Sequence, residues 1–104
     1  MEAIVATKGP RLDDPAVARL CEASGIRRLA LFGSRLKGTA QPDSDVDLLV
    51  EFDPGRVPGL IELSRIEIEF GKVLGFKVDL RTAADLSRHF RDEVVLGART
   101  VYER

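Results

Sequence analysis

Asp45 and Asp47 open the apolar run Val46 to Phe52 and are spaced i, i+2. Side chains of a strand alternate faces, so this spacing sets both carboxylates on one side. Just upstream stands Gly33-Ser34, a pair that lets backbone approach a phosphate closely. The Ser34 hydroxyl, with an N–H at a short helix start, adds to that anion site. Two hard anionic ligands beside a phosphate cradle read as a site for Mg²⁺ and a nucleoside triphosphate. Transfer from a triphosphate asks a protein mainly to hold the phosphates in line and to place positive charge against them.

A third carboxylate would complete the metal ligands and help deprotonate an attacking hydroxyl. Asp79 is the candidate, because it is the acidic residue of a third strand pattern, Phe76–Thr82. There Phe76, Val78 and Leu80 point one way, and Lys77, Asp79 and Arg81 the other. If that strand lies beside Val46–Phe52, Asp79 falls on the surface of the first pair. A stray charge on the solvated side of an edge strand is the bland alternative. Asp47 is harder to dismiss, since a carboxylate between Val46 and Leu48 gains nothing from packing.

The remaining polar residues weigh less. Arg35 and Lys37 are candidates for contacts to β- and γ-phosphates, which a solvated helical turn explains equally well. Asp43 and Ser44 fit a turn held by local hydrogen bonds. Glu62, Glu67 and Glu69 read as a solvated helix face, and His89 as a helix-surface residue without a catalytic neighbour.

Positioning these groups falls to a short series of elements. Residues 1–12 hold an apolar patch, Ala3 to Ala6, and a loop at Lys8-Gly9-Pro10. Asp13 or Asp14 caps a helix over about 15–24 that starts at Pro15, with Gly25 as its terminator. A strand over Ile26–Phe32, a helical turn over Ser34–Lys37 ending at Gly38, and a strand over Val46–Phe52 follow. Leu60–Leu74 is an amphipathic helix, with Leu63, Ile66, Phe70 and Val73 on one face. The strand Phe76–Thr82 comes next, then a helix over Asp85–Leu96, and Arg99–Tyr102 as a short strand or a frayed tail. The order predicts an α/β (α+β) domain: a small mixed sheet of three to four strands with helices mainly on one face. The short link between the first two strands permits an antiparallel pair, and the long helix before the third allows a crossover.

Composition bounds the rest. With 104 residues the chain is one domain, 1–104, and leaves little room for a module that grips an acceptor. Sixteen basic and 17 acidic residues argue against a broad nucleic-acid surface. Cys21 is the single cysteine, so no internal disulfide or thiolate cluster forms, and a buried core thiol is expected. The first residues lack the order of a signal peptide and no apolar run is long enough to cross a membrane. A cytoplasmic location is the default expectation.

The run Gly33–Val50 resembles the signature of the DNA polymerase beta nucleotidyltransferase superfamily, most closely its minimal nucleotidyltransferase (MNT) branch. That signature is Gly-Ser, a spacer, Asp-x-Asp and a later Asp. Here the positions are Gly33, Ser34, Asp45, Asp47 and Asp79, with residues 35–44 as the spacer. Phe32, Arg35, Gly38 and Ser44-Asp45-Val46-Asp47-Leu48 match the branch as well. The likeness continues less specifically to the end, and residues 1–12 fall outside it.

The resemblance implies that Asp45, Asp47 and Asp79 are catalytic and bind Mg²⁺, two ions by expectation. Gly33, Ser34 and Arg35 would bind the donor ATP. It further implies transfer of AMP to a tyrosine hydroxyl of a HEPN-domain toxin, silenced by its antitoxin. Two rivals stand beside this: a small-molecule nucleotidyltransferase subunit, and a non-catalytic antitoxin acting by contact alone. Homo- or hetero-oligomerisation is left open.

Overall fold

The computed structural model describes residues 9–104, so the apolar patch Ala3–Ala6 lies outside the described residues. Helix α1 spans Pro15–Ala23. The Asp14 carboxylate accepts the Ala16 N–H at 2.9 Å, and Pro15 sits where a missing N–H costs nothing. Strand β1 (Ile26–Phe32) leads into the one-turn helix α2 (Ser34–Lys37) and strand β2 (Val46–Phe52). Helix α3 (Leu60–Leu74), strand β3 (Val78–Arg81), helix α4 (Arg91–Gly97) and strand β4 (Arg99–Glu103) complete the order.

The four strands form one mixed sheet in the order β3-β2-β1-β4. β1 pairs antiparallel with β2 and with β4, while β2 and β3 run parallel. Parallel neighbours need a crossover, and α3 supplies it. Both connections therefore match the expectation, and β4 resolves the ambiguous tail as a strand.

Helices α1 and α3 cover one face of the sheet. Val46, Leu48 and Val50 of β2 meet Ile66 and Phe70 of α3 there, and Cys21 of α1 joins the same cluster. All six are essentially inaccessible to solvent, and burying such side chains contributes most of the stabilisation of a domain this small. The opposite face carries a smaller cluster of Ala30, Leu49 and Leu86, against which Val94 and Val95 of α4 pack. The middle of β2 is thus buried on both sides, and only its first residues leave the aspartate face open.

Two boundaries differ from expectation. β3 is Val78–Arg81 rather than Phe76–Thr82. The last helix begins at Arg91, not Asp85, because residues 83–90 serve other ends. A 3-10 turn spans Ala83–Asp85, where the Asp85 carboxylate accepts the Thr82 N–H at 3.1 Å. Leu86 is then extended and buried in the second cluster, which no continuous helix through 85–96 would permit. His89 consequently lies in the turn before α4 rather than on a helix surface. Among the described residues no helix is long and apolar enough to cross a membrane.

Candidate active site

The parallel ladder between β2 and β3 pairs Asp47 directly with Asp79. Paired residues point to the same side of a sheet, so the two carboxylates share the face opposite the main core. The sequence expectation for Asp79 rested on this neighbourhood, and the register places it there. Asp45 precedes β2 by one residue and is close enough to act electrostatically on Asp47.

The site is under electrostatic load. Partial burial pushes the Asp47 carboxyl above its ordinary value, and the charges of Asp79 and then Asp45 push it the same way. Arg81 partly offsets this. It does so while forking onto Asp79, with Nε to Oδ1 at 2.9 Å and a terminal nitrogen to Oδ2 at 3.3 Å. With Asp79 turned onto Arg81, the carboxylates do not converge on a point. Among the described residues no three His, Cys, Asp or Glu side chains form a ready ion cage.

The residues nonetheless fit a divalent cation. Three carboxylates offer hard oxygen donors, and the burial and repulsion that together raise Asp47 are what such an ion offsets. Gly33 adds a second observation. Its φ is +79°, and a Cβ there would come within 2.1 Å of Asp47 Oδ2. Only glycine lets the start of the Gly33-Ser34 turn lie against that carboxylate. The cradle and the first metal candidate are therefore in van der Waals contact.

Two adjoining cavities open from this point. One of about 200 Å³ is lined by Asp47, Asp79, Arg81, Asp85 and Phe90 among others. A larger one of about 460 Å³ lies against Gly33, Leu36, Lys37 and Glu93. Phe32 and Phe90 line both. Carboxylates at one end and aromatic surface beside the cradle form the kind of cleft that holds a polar ligand with a flat apolar part.

Arg35 is engaged away from the carboxylates. Its guanidinium donates to the carbonyl of Ser44 at 2.8 Å and of Pro42 at 3.3 Å, and lies 4.5 Å from the centre of the Phe76 ring. It ties α2 to the loop that delivers Asp45 and to the approach of β3. In this arrangement its guanidinium is committed to backbone carbonyls of that loop. Lys37 lines the larger cavity instead.

Glu67 was read as solvated, and the structure corrects this. Its Oε2 accepts the Leu80 N–H at 2.7 Å, between Asp79 and Arg81. β3 is an edge strand, and the donor Leu80 turns outward finds its partner on α3. The sequence held a faint sign of it: Glu67 follows Ile66, a residue of the buried face of α3.

Comparison with known proteins agrees with this geometry. Residues 16–102 match the model of the nucleotidyltransferase domain family. The chain is similar to protein adenylyltransferase MntA of Thermococcus cleftensis, 41% identical over 61 residues, 59% of this chain and 60% of that relative's length. The match thus spans less than two thirds of that relative. A solved structure of a candidate minimal nucleotidyltransferase is 34% identical, covers 93% of this chain and 91% of its own, and superposes with a TM-score of 0.67. A complex of a tri-AMPylated Shewanella oneidensis HEPN toxin with an MNT antitoxin shares the fold. There identity is 18%, coverage is 90% of this chain and 72% of that one, and the TM-score is 0.64. With its Gly-Ser turn against the first of two ladder-paired aspartates, the chain belongs to the nucleotidyltransferase domain family, in its minimal branch.

Proposed function

We propose that this protein transfers AMP from ATP, with Mg²⁺, to a tyrosine hydroxyl of a HEPN-domain partner, and so acts as an antitoxin. The observation that carries the chemistry is the contact between Gly33 and the Asp47 carboxylate, with Asp79 paired beside it. Support for the acceptor comes from the relatives: one is named a protein adenylyltransferase, and one MNT antitoxin is seen with an AMPylated HEPN toxin.

In this reading Asp45, Asp47 and Asp79 hold the cation, Gly33 and Ser34 receive the phosphates, and Lys37 lines the cavity beyond. A bound divalent cation supplies positive charge at the attacked phosphorus and at the leaving pyrophosphate. Asp79, on the edge strand of the sheet, also accepts the proton of the acceptor hydroxyl in this reading. The adenosine occupies the larger cavity beside Phe32 and Phe90. The domain offers little surface to grip an acceptor, so the partner brings its own hydroxyl to the cleft.

The experiment is incubation of the protein with its HEPN partner, labelled ATP and Mg²⁺. Label should appear on the partner, vanish with Asp47→Ala and vanish when the acceptor tyrosine is replaced by Phe. No label, or equal label with Asp47→Ala, would remove the proposal. Protection of cells by a chain lacking Asp45, Asp47 and Asp79 would instead favour inhibition by contact alone.

A further inference from the structure

Arg81 stands two residues beyond Asp79 on the edge strand and spends its guanidinium on both Asp79 oxygens, at 2.9 and 3.3 Å. A fork on a carboxylate is the strongest geometry an ion pair offers. Yet both side chains are well exposed, 46% for Arg81 and 34% for Asp79, and a pair so exposed exchanges easily. The register sets Asp47 opposite Asp79, so two carboxylates would face each other without a cation between them. Arg81 supplies that positive charge. Asp85 lines the smaller cavity together with Asp79 and Arg81, and it commits one oxygen to the Thr82 N–H. A second carboxylate is therefore available to the guanidinium within the same cleft.

Building on the assignment of the aspartates as a cation site, we infer that Arg81 is its resident counter-charge. It holds Asp79 in the cation-free protein and yields the carboxylate to a divalent cation, moving toward Asp85. Cation binding is then an exchange, and Arg81 sets how readily it happens. Asp79 stays ordered before loading and is released only when a stronger positive charge arrives. Among the described residues there is no ready ion cage, and the Asp79 carboxylate is committed to Arg81.

The test is an NMR titration of the full chain with Mg²⁺ alone, following the Arg81 Nε–H signal, identified by its loss in Arg81→Lys. The signal should shift with the same midpoint as the backbone amides of Asp47 and Asp79. Arg81→Met should bind Mg²⁺ roughly three- to tenfold tighter, having no internal competitor. Arg56→Met, at the far end of β2, should change the midpoint less than about twofold, since screening removes distant charges. An Arg81 signal that stays still while the amides titrate would overturn the exchange, as would unchanged Mg²⁺ affinity in Arg81→Met. Silence of the amides in both proteins would remove the cation site itself, a separate and recognisable failure.

Discussion

Asp47 and Asp79 are partners in a parallel ladder, with Gly33 packed against the first and Arg81 forked onto the second. Two like charges are thus held side by side by the backbone, at a point where hydrophobic packing on the other face prevents the strands from sliding apart. The sheet stores a repulsion that a bound ligand relieves, a stability cost of the kind found at functional sites.

Removing the half-buried Asp47 charge, and with it that repulsion, should stabilise the cation-free domain. The folded Asp47 carboxyl holds its proton to a higher pH than its ordinary 3.8. Stability therefore falls as pH rises from that value through the folded one, and the loss persists at neutral pH. Asp47→Asn should raise Tm without Mg²⁺ by several degrees, about 1 kcal/mol or less after solvent screening. The same variant should lose the Tm increase that Mg²⁺ and ATP give the parent. Thermal scans from acid to neutral pH check both, and a variant that melts lower than the parent at neutral pH refutes the stored repulsion.

The glycines of the cradle separate conformation from contact. Gly33 and Gly38 both have φ +79°, but a Cβ at Gly38 meets nothing within 4 Å. Gly38→Ala should cost about 1–2 kcal/mol from the left-handed backbone alone, and Gly33→Ala more, because its ψ of −156° puts it in a region open essentially to glycine. Only Gly33→Ala also drives a methyl into the Asp47 carboxylate, so only it should abolish Mg²⁺-dependent nucleotide binding. Calorimetry on the two variants distinguishes them, and equal loss of binding in both would refute the contact argument.

Much of this was legible in the sequence where one residue's neighbours along the chain determine its role. Asp14 and Pro15 announce a helix start, Gly25 and Gly75 announce stops, and the alternation around Asp47 announces a face. Asp79 needed one further assumption, that its strand lies beside β2, which the long α3 crossover made natural. Glu67 was misjudged, and the contacts of Arg35 were not foreseen, because their partners are set by tertiary packing. Nothing local says that Arg35 will reach the Ser44 carbonyl and the Phe76 ring, or that Glu67 will meet an N–H of residue 80. The break after Asp85 was hidden for a similar reason. A helical pattern continues through it, and only the burial of Leu86 on the second face requires the chain to straighten there.

Cys21 should be chemically silent. It is fully buried between α1 and the sheet, and burial pushes its thiol up to about 12. The thiolate is the reactive form, so the native protein should not react with a disulfide reagent at about pH 8, while the chain in guanidinium should react fully. Because the folded thiol keeps its proton above the unfolded value, this residue costs stability only in strongly alkaline solution. Fast labelling of the native protein would show that α1 opens from the sheet readily.

Glu67 should matter to the site without touching any ligand of it. Its bond to the Leu80 N–H anchors β3 between Asp79 and Arg81. Leu80 is 4% exposed, so losing the acceptor leaves a donor with little access to water. Glu67→Ala should therefore cost about 1–3 kcal/mol and weaken Mg²⁺ binding by letting Asp79 drift. Glu67→Gln keeps an oxygen that accepts the same bond and should restore the Mg²⁺ midpoint to near the parent value. A bare structural role predicts that both variants shift Tm while leaving Mg²⁺ affinity alone; a positioning role predicts that affinity follows the hydrogen bond. Measuring Tm and the Mg²⁺ midpoint on both variants decides between them.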